Sequence, residues 1–170
     1  MDDLTTRVAN GDRAAMARIV TEHFGSVYAF CARRLGPDLA EDAAQETFIM
    51  AYKTIQRYDP ACALRTWLIG IAFNICRNMA RKKRRDIQLD QIWHLPDASK
   101  SETEIVLGVE LACGLRKLSP VHLEVVMLHE LDGLTYDETA LVLGIPAGTV
   151  KSRLHEAFRQ LRKTVSEVER

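Results

Sequence analysis

Apolar residues recur every three to four positions along most of the chain, and no stretch alternates apolar and polar residues over strand length. This period predicts an all-α protein. A short helix is expected over Asp2–Ala9, interrupted at Asn10-Gly11. Asp12 then caps a second helix with apolar positions Ala15, Met16, Ile19 and Val20. Gly25 is expected to separate it from a third, which runs through Val27, Tyr28, Phe30, Cys31 and Leu35 to Gly36-Pro37. A fourth helix is predicted over about Leu39–Arg57 and a fifth over about Leu64–Arg85, with Tyr58–Ala63 between them.

The pattern then lapses. The segment IQLDQIWHLPDASKSE is polar and acidic, with the composition of a flexible linker. Ser101 and Glu104 form a capping-box pair that opens a helix to about Lys117, and Ser119-Pro120 starts another that ends near Asp132-Gly133. Two small helical domains are expected, 1–88 and 103–170, joined by a flexible linker over 89–102. The second closes with Thr135–Arg162, read as two helices and a tight turn. Thr135 and Glu138 make a capping box, Ala140 leaves room for close packing, and Gly144 ends the first helix. Val150, Leu154, Ala157, Phe158 and Leu161 form the apolar stripe of the second. Those offsets are the pattern of a DNA-binding helix-turn-helix.

Two helices of the first domain carry distinctive polar faces. In the fifth, Leu68, Ile71, Ala72, Ile75 and Met79 gather on one side as expected core. Asn74, Arg77, Arg81 and Arg84 gather on the other, bordered by Trp67, Asn78 and Arg85. Arginines there can neutralise phosphates, and Asn and Trp can address bases by hydrogen bonding and stacking. In the fourth, Ala43, Phe48, Ala51, Tyr52 and Ile55 are expected to be buried. Asp42, Gln45, Glu46 and Ile49 fall elsewhere, an acidic-amide face suited to a basic protein partner.

The net charge of zero conceals segregation. Arg77–Arg85 holds six basic residues and no acid, whereas Asp86, Asp90, Asp97, Glu102 and Glu104 face only Lys100 in the next segment. Charge separated in this way suggests basic surfaces for an anionic partner. Cys31, Cys62, Cys76 and Cys113 are too widely spaced for a zinc site or a secreted disulfide framework, so no metal and no cofactor is expected. Glu41, Asp42 and Glu46 lie close together but lack a histidine partner and metal-ligand spacing, so no enzymatic activity is expected. The acidic N-terminus is unlike a signal peptide and no apolar run approaches membrane-spanning length. These features predict a cytoplasmic protein without membrane insertion.

Taken together, AEDAAQETFIMAYKTI, YDPACALRTWLIGIAFNICRNMARKKRR and LSPVHLEVVMLHELDGLTYDETALVLGIPAGTVKSRLHEAFRQLRK closely resemble the bacterial extracytoplasmic-function (ECF) sigma factors, in order and over nearly the whole chain. The resemblance implies a region 2 helical bundle and a region 4 helix-turn-helix in a non-enzymatic RNA polymerase subunit for promoter-specific initiation. It implies that Asp42, Gln45, Glu46 and Ile49 dock on the clamp helices of the polymerase beta-prime subunit. Tyr58, Asp59 and Ala63 match the loop that captures a base flipped from the −10 element, and Trp67, Asn74, Arg77 and Arg81 the helix at the upstream edge of the melted region. Gly148, Thr149, Lys151, Ser152, His155 and Arg159 match the −35-reading positions. Core RNA polymerase, promoter DNA and an anti-sigma factor are the implied partners. DPACA departs from the Ser/Gly-rich loops common in the family, and Glu156 stands where a basic residue is frequent and is expected to lie along the groove rim. A stand-alone helix-turn-helix regulator is the alternative; it accounts for the second domain but leaves AEDAAQETF and LRTWL without a role.

Overall fold

The computed structural model describes residues 3–86, 112 and 114–168, with side chains over 4–82, 112 and 114–163. All regular structure among them is helical. Residues 1–94 and 95–170 form two compact units, each with its own core. The expected linker 89–102 and most of the helix expected from Ser101 lie outside the described residues.

In the first unit, α1 (Asp3–Ala9) leads through Gly11 into α2 (Arg13–Leu35). Asp12 caps α2 by accepting from the N–H groups of Ala14 and Ala15. Arg7 reaches the same carboxylate at 2.6 and 2.8 Å and so ties α1 to the start of α2. These backbone and guanidinium donors hold the Asp12 carboxyl below its ordinary value.

The break expected at Gly25 is absent, and α2 runs unbroken for 23 residues. Glycine costs a helix interior only about 1 kcal/mol. Burial of Ala15 and Ile19 on one side of it, and of Val27, Phe30 and Cys31 on the other, outweighs that cost. A Cβ at residue 25 would meet nothing within 4 Å. Gly25→Ala is therefore expected to stabilise the first unit by about 0.8–1 kcal/mol, read as a rise of several degrees in its thermal midpoint.

Gly36, at φ 81°, ends α2 in a backbone region that few side chains tolerate, and Pro37 opens α3 (Pro37–Thr54) in the first turn. A single 3₁₀ turn, Ile55–Arg57, and the loop to Ala63 connect α3 to α4 (Leu64–Asp86). Helices α2, α3 and α4 pack mutually around Phe30, Phe48, Leu68, Ile69, Ala72 and Phe73. The stacked rings of Tyr28, Phe24 and Phe48 join α2 to α3. Cys31 on α2 and Cys76 on α4 are buried and in thiol–thiol contact. That contact and burial push the Cys31 thiol well up, so it is protonated and unreactive at neutral pH.

The core face of α4 is rotated from the one expected. Ile69, Phe73 and Cys76 are buried with Leu68, Ala72 and Ile75, while Ile71 and Met79 are only half-buried. A helix packed on two neighbours needs a wider apolar arc than one stripe. On α3, Tyr52 was expected inside but is 43% exposed; Ala40, Ala44 and Thr47 fill that side instead. At 100° per residue Tyr52 falls about 100° from the middle of the buried arc of α3, which leaves its ring at the border.

In the second unit, a helical turn over 114–117 precedes α5 (Pro120–Val126), which continues into a π-helical turn, Met127–Leu131. Helices α6 (Tyr136–Leu143) and α7 (Ala147–Val168) follow. The core is built from Leu123, Val126, Leu128, Leu134, Val150, Leu154 and Ala157. Phe158, expected in the apolar stripe of α7, is exposed, and Thr139 rather than Ala140 is the fully buried residue of α6.

Candidate functional sites

The outward face of α3 carries Asp42, Gln45, Glu46 and Ile49, all exposed, with Ile49 at 54%. Burial of Ala43, Ala44, Thr47, Phe48 and Ala51 on the opposite side fixes this orientation. Gln45 donates a long bond to Glu41 at 3.3 Å, leaving the face acidic around an exposed aliphatic. Met50, 39% exposed, extends the apolar part and was missed in the sequence. Carboxylates beside bare aliphatic side chains suit a partner surface that is basic and partly apolar.

Between α3 and α4 lies an open groove of about 390 Å³, lined by Glu46, Met50, Thr54, Arg57, Trp67, Ile71, Asn74, Ile75 and Asn78. Glu46, expected to meet a protein, and Trp67 and Asn74, expected to meet DNA, thus share its walls. The two surfaces are contiguous, which spacing along separate helices did not reveal.

The loop 58–63 is closed by its own bonds. The Tyr58 hydroxyl donates to the Cys62 carbonyl at 2.6 Å, the Asp59 carboxylate accepts from the Ala61 N–H at 2.9 Å, and the Cys62 N–H donates to the Asp59 carbonyl at 3.0 Å. Asp59, Pro60, Ala61 and Ala63 remain exposed on this scaffold. The Tyr58 ring lies 5.2 Å from that of Trp67, tilted by 57°. Trp67 is half-buried, so it supports the loop as well as lining the groove. Further along α4, Asn74, Arg77, Asn78, Arg81 and Lys82 are exposed. The Asn74 amide donates to the Gly70 carbonyl at 3.0 Å, and Arg81 reaches Asn78 at 3.4 Å. This strip can meet phosphates through its cations and a base edge through its amides.

In the second unit, Thr135 and Glu138 form the expected capping box of α6. Gly144 closes it at φ 66°, ψ 36°, with the Ile145 N–H donating to the Ala140 carbonyl at 3.1 Å. Burial of Val150, Leu154 and Ala157 then turns Gly148, Lys151, Ser152, His155 and Arg159 outward, with Thr149 half-exposed. Ser152 donates to the Thr149 carbonyl at 3.0 Å. A Cβ on Gly148 would meet nothing within 4 Å, so packing within the unit does not demand glycine there.

Two arrangements around α7 were not anticipated. Lys151 holds its ammonium 5.4 Å from the centre of the Tyr136 ring, which stacks at 4.5 Å on His129. His129 Nδ1 lies 2.6 Å from the Leu134 carbonyl; a carbonyl only accepts, so Nδ1 carries the proton. Glu156 grips Arg159: Nε donates at 2.8 Å and Nη2 at 2.6 Å, and Gln160 donates to the same carboxylate at 2.8 Å. The Arg159 and Gln160 donors lower the Glu156 carboxyl to about 2, and the carboxylate in turn raises the Arg159 guanidinium, so both stay ionised at physiological pH. The i, i+3 spacing was visible in the sequence, but spacing alone does not distinguish a bonded pair from two solvated charges.

Among the described residues no group of three or more His, Cys, Asp or Glu side chains could hold a metal ion, and no helix is long and apolar enough to cross a membrane.

Known families match both units. The family Sigma-70 region 2 matches residues 19–86, and Sigma-70, region 4 matches residues 109–161. The ECF RNA polymerase sigma factor SigW of Bacillus subtilis is 33% identical over 95% of this chain and 95% of its own length. The ECF RNA polymerase sigma factor SigE of Mycolicibacterium smegmatis is also 33% identical, over 91% of this chain, which spans 64% of that longer protein. The fold is similar to that of the sigma factor RpoE of Bartonella quintana, solved in complex with the anti-sigma factor NepR. The TM-score is 0.67 at 22% identity, over 88% of this chain and 96% of that one.

Proposed function

The chain belongs to the ECF RNA polymerase sigma factors of the sigma-70 family, and from that premise we propose how its two units divide the work of promoter-specific initiation. Sigma factors are non-enzymatic initiation subunits that act with RNA polymerase on DNA. In this division, region 2 spans 1–88, the linker 89–102 and region 4 103–170. Asp42, Gln45, Glu46 and Ile49 of α3 dock on the clamp helices of the beta-prime subunit. Tyr58, Asp59 and Ala63 hold a base flipped from the −10 element, while Trp67, Asn74, Arg77 and Arg81 engage the strand around it. Gly148, Thr149, Lys151, Ser152, His155 and Arg159 of α7 read the −35 element in the major groove.

The observation that best supports this reading is the groove between α3 and α4. Polymerase bound at Glu46 and DNA bound at Trp67 and Asn74 would be neighbours on one surface. Docking would then place the melting loop beside the enzyme that needs the open strand, and capture of an unstacked base would offset the cost of opening without ATP. The same acidic and apolar face is where an anti-sigma factor would exclude polymerase, and the protein acts in the cytoplasm with its enzyme. Run-off transcription tests the assignment. Core polymerase plus this chain is expected to initiate at a defined start on cognate promoter DNA, and core polymerase alone is not. Equal, unselective initiation with and without the chain would contradict it.

A further inference from the structure

The acid at position 156 was a departure without a role, and its geometry gives it one. At 100° per residue, with Val150, Leu154 and Ala157 directed inward, Ser152 and Arg159 lie at the middle of the outward face of α7 and Glu156 lies beside them. Helical side chains lean toward the N-terminus. Arg159 follows this rule: Glu156, three residues nearer the start of the helix, holds its guanidinium back toward the N-terminus. That places the cation closer to the N-terminal part of α7, the part through which helix-turn-helix proteins reach base edges.

The contact also decides which donors remain. Glu156 takes Nε–H and one Nη2–H, so both Nη1–H groups and the second Nη2–H are left at the tip. Those form the end-on fork that fits O6 and N7 of guanine in the major groove. Gln160 donates to the same carboxylate and restrains it from the next turn. The solvent-exposed pair adds little to stability. Its consequence is instead to fix a long side chain before binding, and to cancel a charge that would otherwise favour any phosphate.

We propose that Glu156 is a positioning residue that holds Arg159 as a preorganised guanine reader in the −35 element and suppresses its sequence-independent attraction to the DNA backbone. This rests on the −35 role assigned to α7 above.

The test uses core polymerase reconstituted with the full chain. Complex formation is measured on promoters carrying each base at each −35 position, over a range of salt concentrations, for the wild type, Arg159→Ala and Glu156→Gln. The wild type is expected to favour guanine at one position by roughly fivefold to hundredfold, and Arg159→Ala to flatten that position alone. Glu156→Gln keeps the shape but loses the charge. It is expected to weaken the same guanine preference roughly twofold or more, while steepening the salt dependence by up to about 0.9 in slope. The thermal midpoint of the second unit should be nearly equal in all three proteins, which confirms that the variants fold, and core affinity, set by α3 of the first unit, should be unchanged. A base-selective wild type whose preference and salt slope survive Glu156→Gln would overturn the proposal alone. A wild type indifferent to every −35 base would overturn the −35 assignment of α7, and the proposal with it.

Discussion

Core polymerase is expected to bind the double variant Gln45→Ala, Glu46→Lys roughly 30-fold to several thousand-fold more weakly than the wild type, the equivalent of about 2–5 kcal/mol. Both side chains are exposed on α3, where Gln45 donates a long 3.3 Å bond to Glu41. Surface changes of this kind usually alter stability by less than about 0.5 kcal/mol, so the thermal midpoint should be almost unchanged. The loss follows from the proposed docking of α3, in which a carboxylate desolvated against a cation would be replaced by a like charge. Sedimentation of each variant with core enzyme measures it. Wild-type affinity in a folded double variant would remove α3 from the interface.

Trp67→Ala is expected to reduce promoter opening about fivefold to hundredfold, the effect of losing one aromatic–base stack worth about 1–3 kcal/mol. The ring has two roles in the geometry: it buttresses Tyr58 at 5.2 Å, and it forms part of the groove wall. Fluorescence of 2-aminopurine placed in the −10 element reports opening directly, while binding to duplex DNA through α7 should be little affected. Trp67→Phe retains a ring against Tyr58 and should recover part of the opening. Equal losses of opening and duplex binding would mean that Trp67 serves the holoenzyme as a whole rather than the melted strand.

The parts of this architecture that were legible in the sequence are those fixed by local chemistry. A Thr135 hydroxyl three residues before Glu138, a glycine at 144 and Pro37 after Gly36 each dictate a helix end through bonds within a few residues. The faces of Asp42, Gln45, Glu46 and Ile49 on α3, and of Lys151, Ser152 and His155 on α7, follow from a single period. What was misread depended on tertiary packing. Gly25 looked like a break because glycine is a poor helix former, yet burial on both sides of it carries α2 through. Tyr52 and Phe158 looked like core because they are large and apolar, but alanines and Thr139 occupy the close contacts. The groove joining Glu46 to Trp67 was hidden because it needs two helices at a known separation.

In the proposed division of labour α7 provides one weak anchor, and selective binding arises only when both units and the polymerase act together. The most direct measurement is the affinity for promoter DNA and for scrambled DNA of equal length, with and without core polymerase at fixed salt. The chain alone is expected to bind weakly with little discrimination, and to discriminate strongly once core enzyme is added. Tight, sequence-specific binding by the chain alone, with no gain from core polymerase, would contradict this expectation and would describe a stand-alone helix-turn-helix regulator instead.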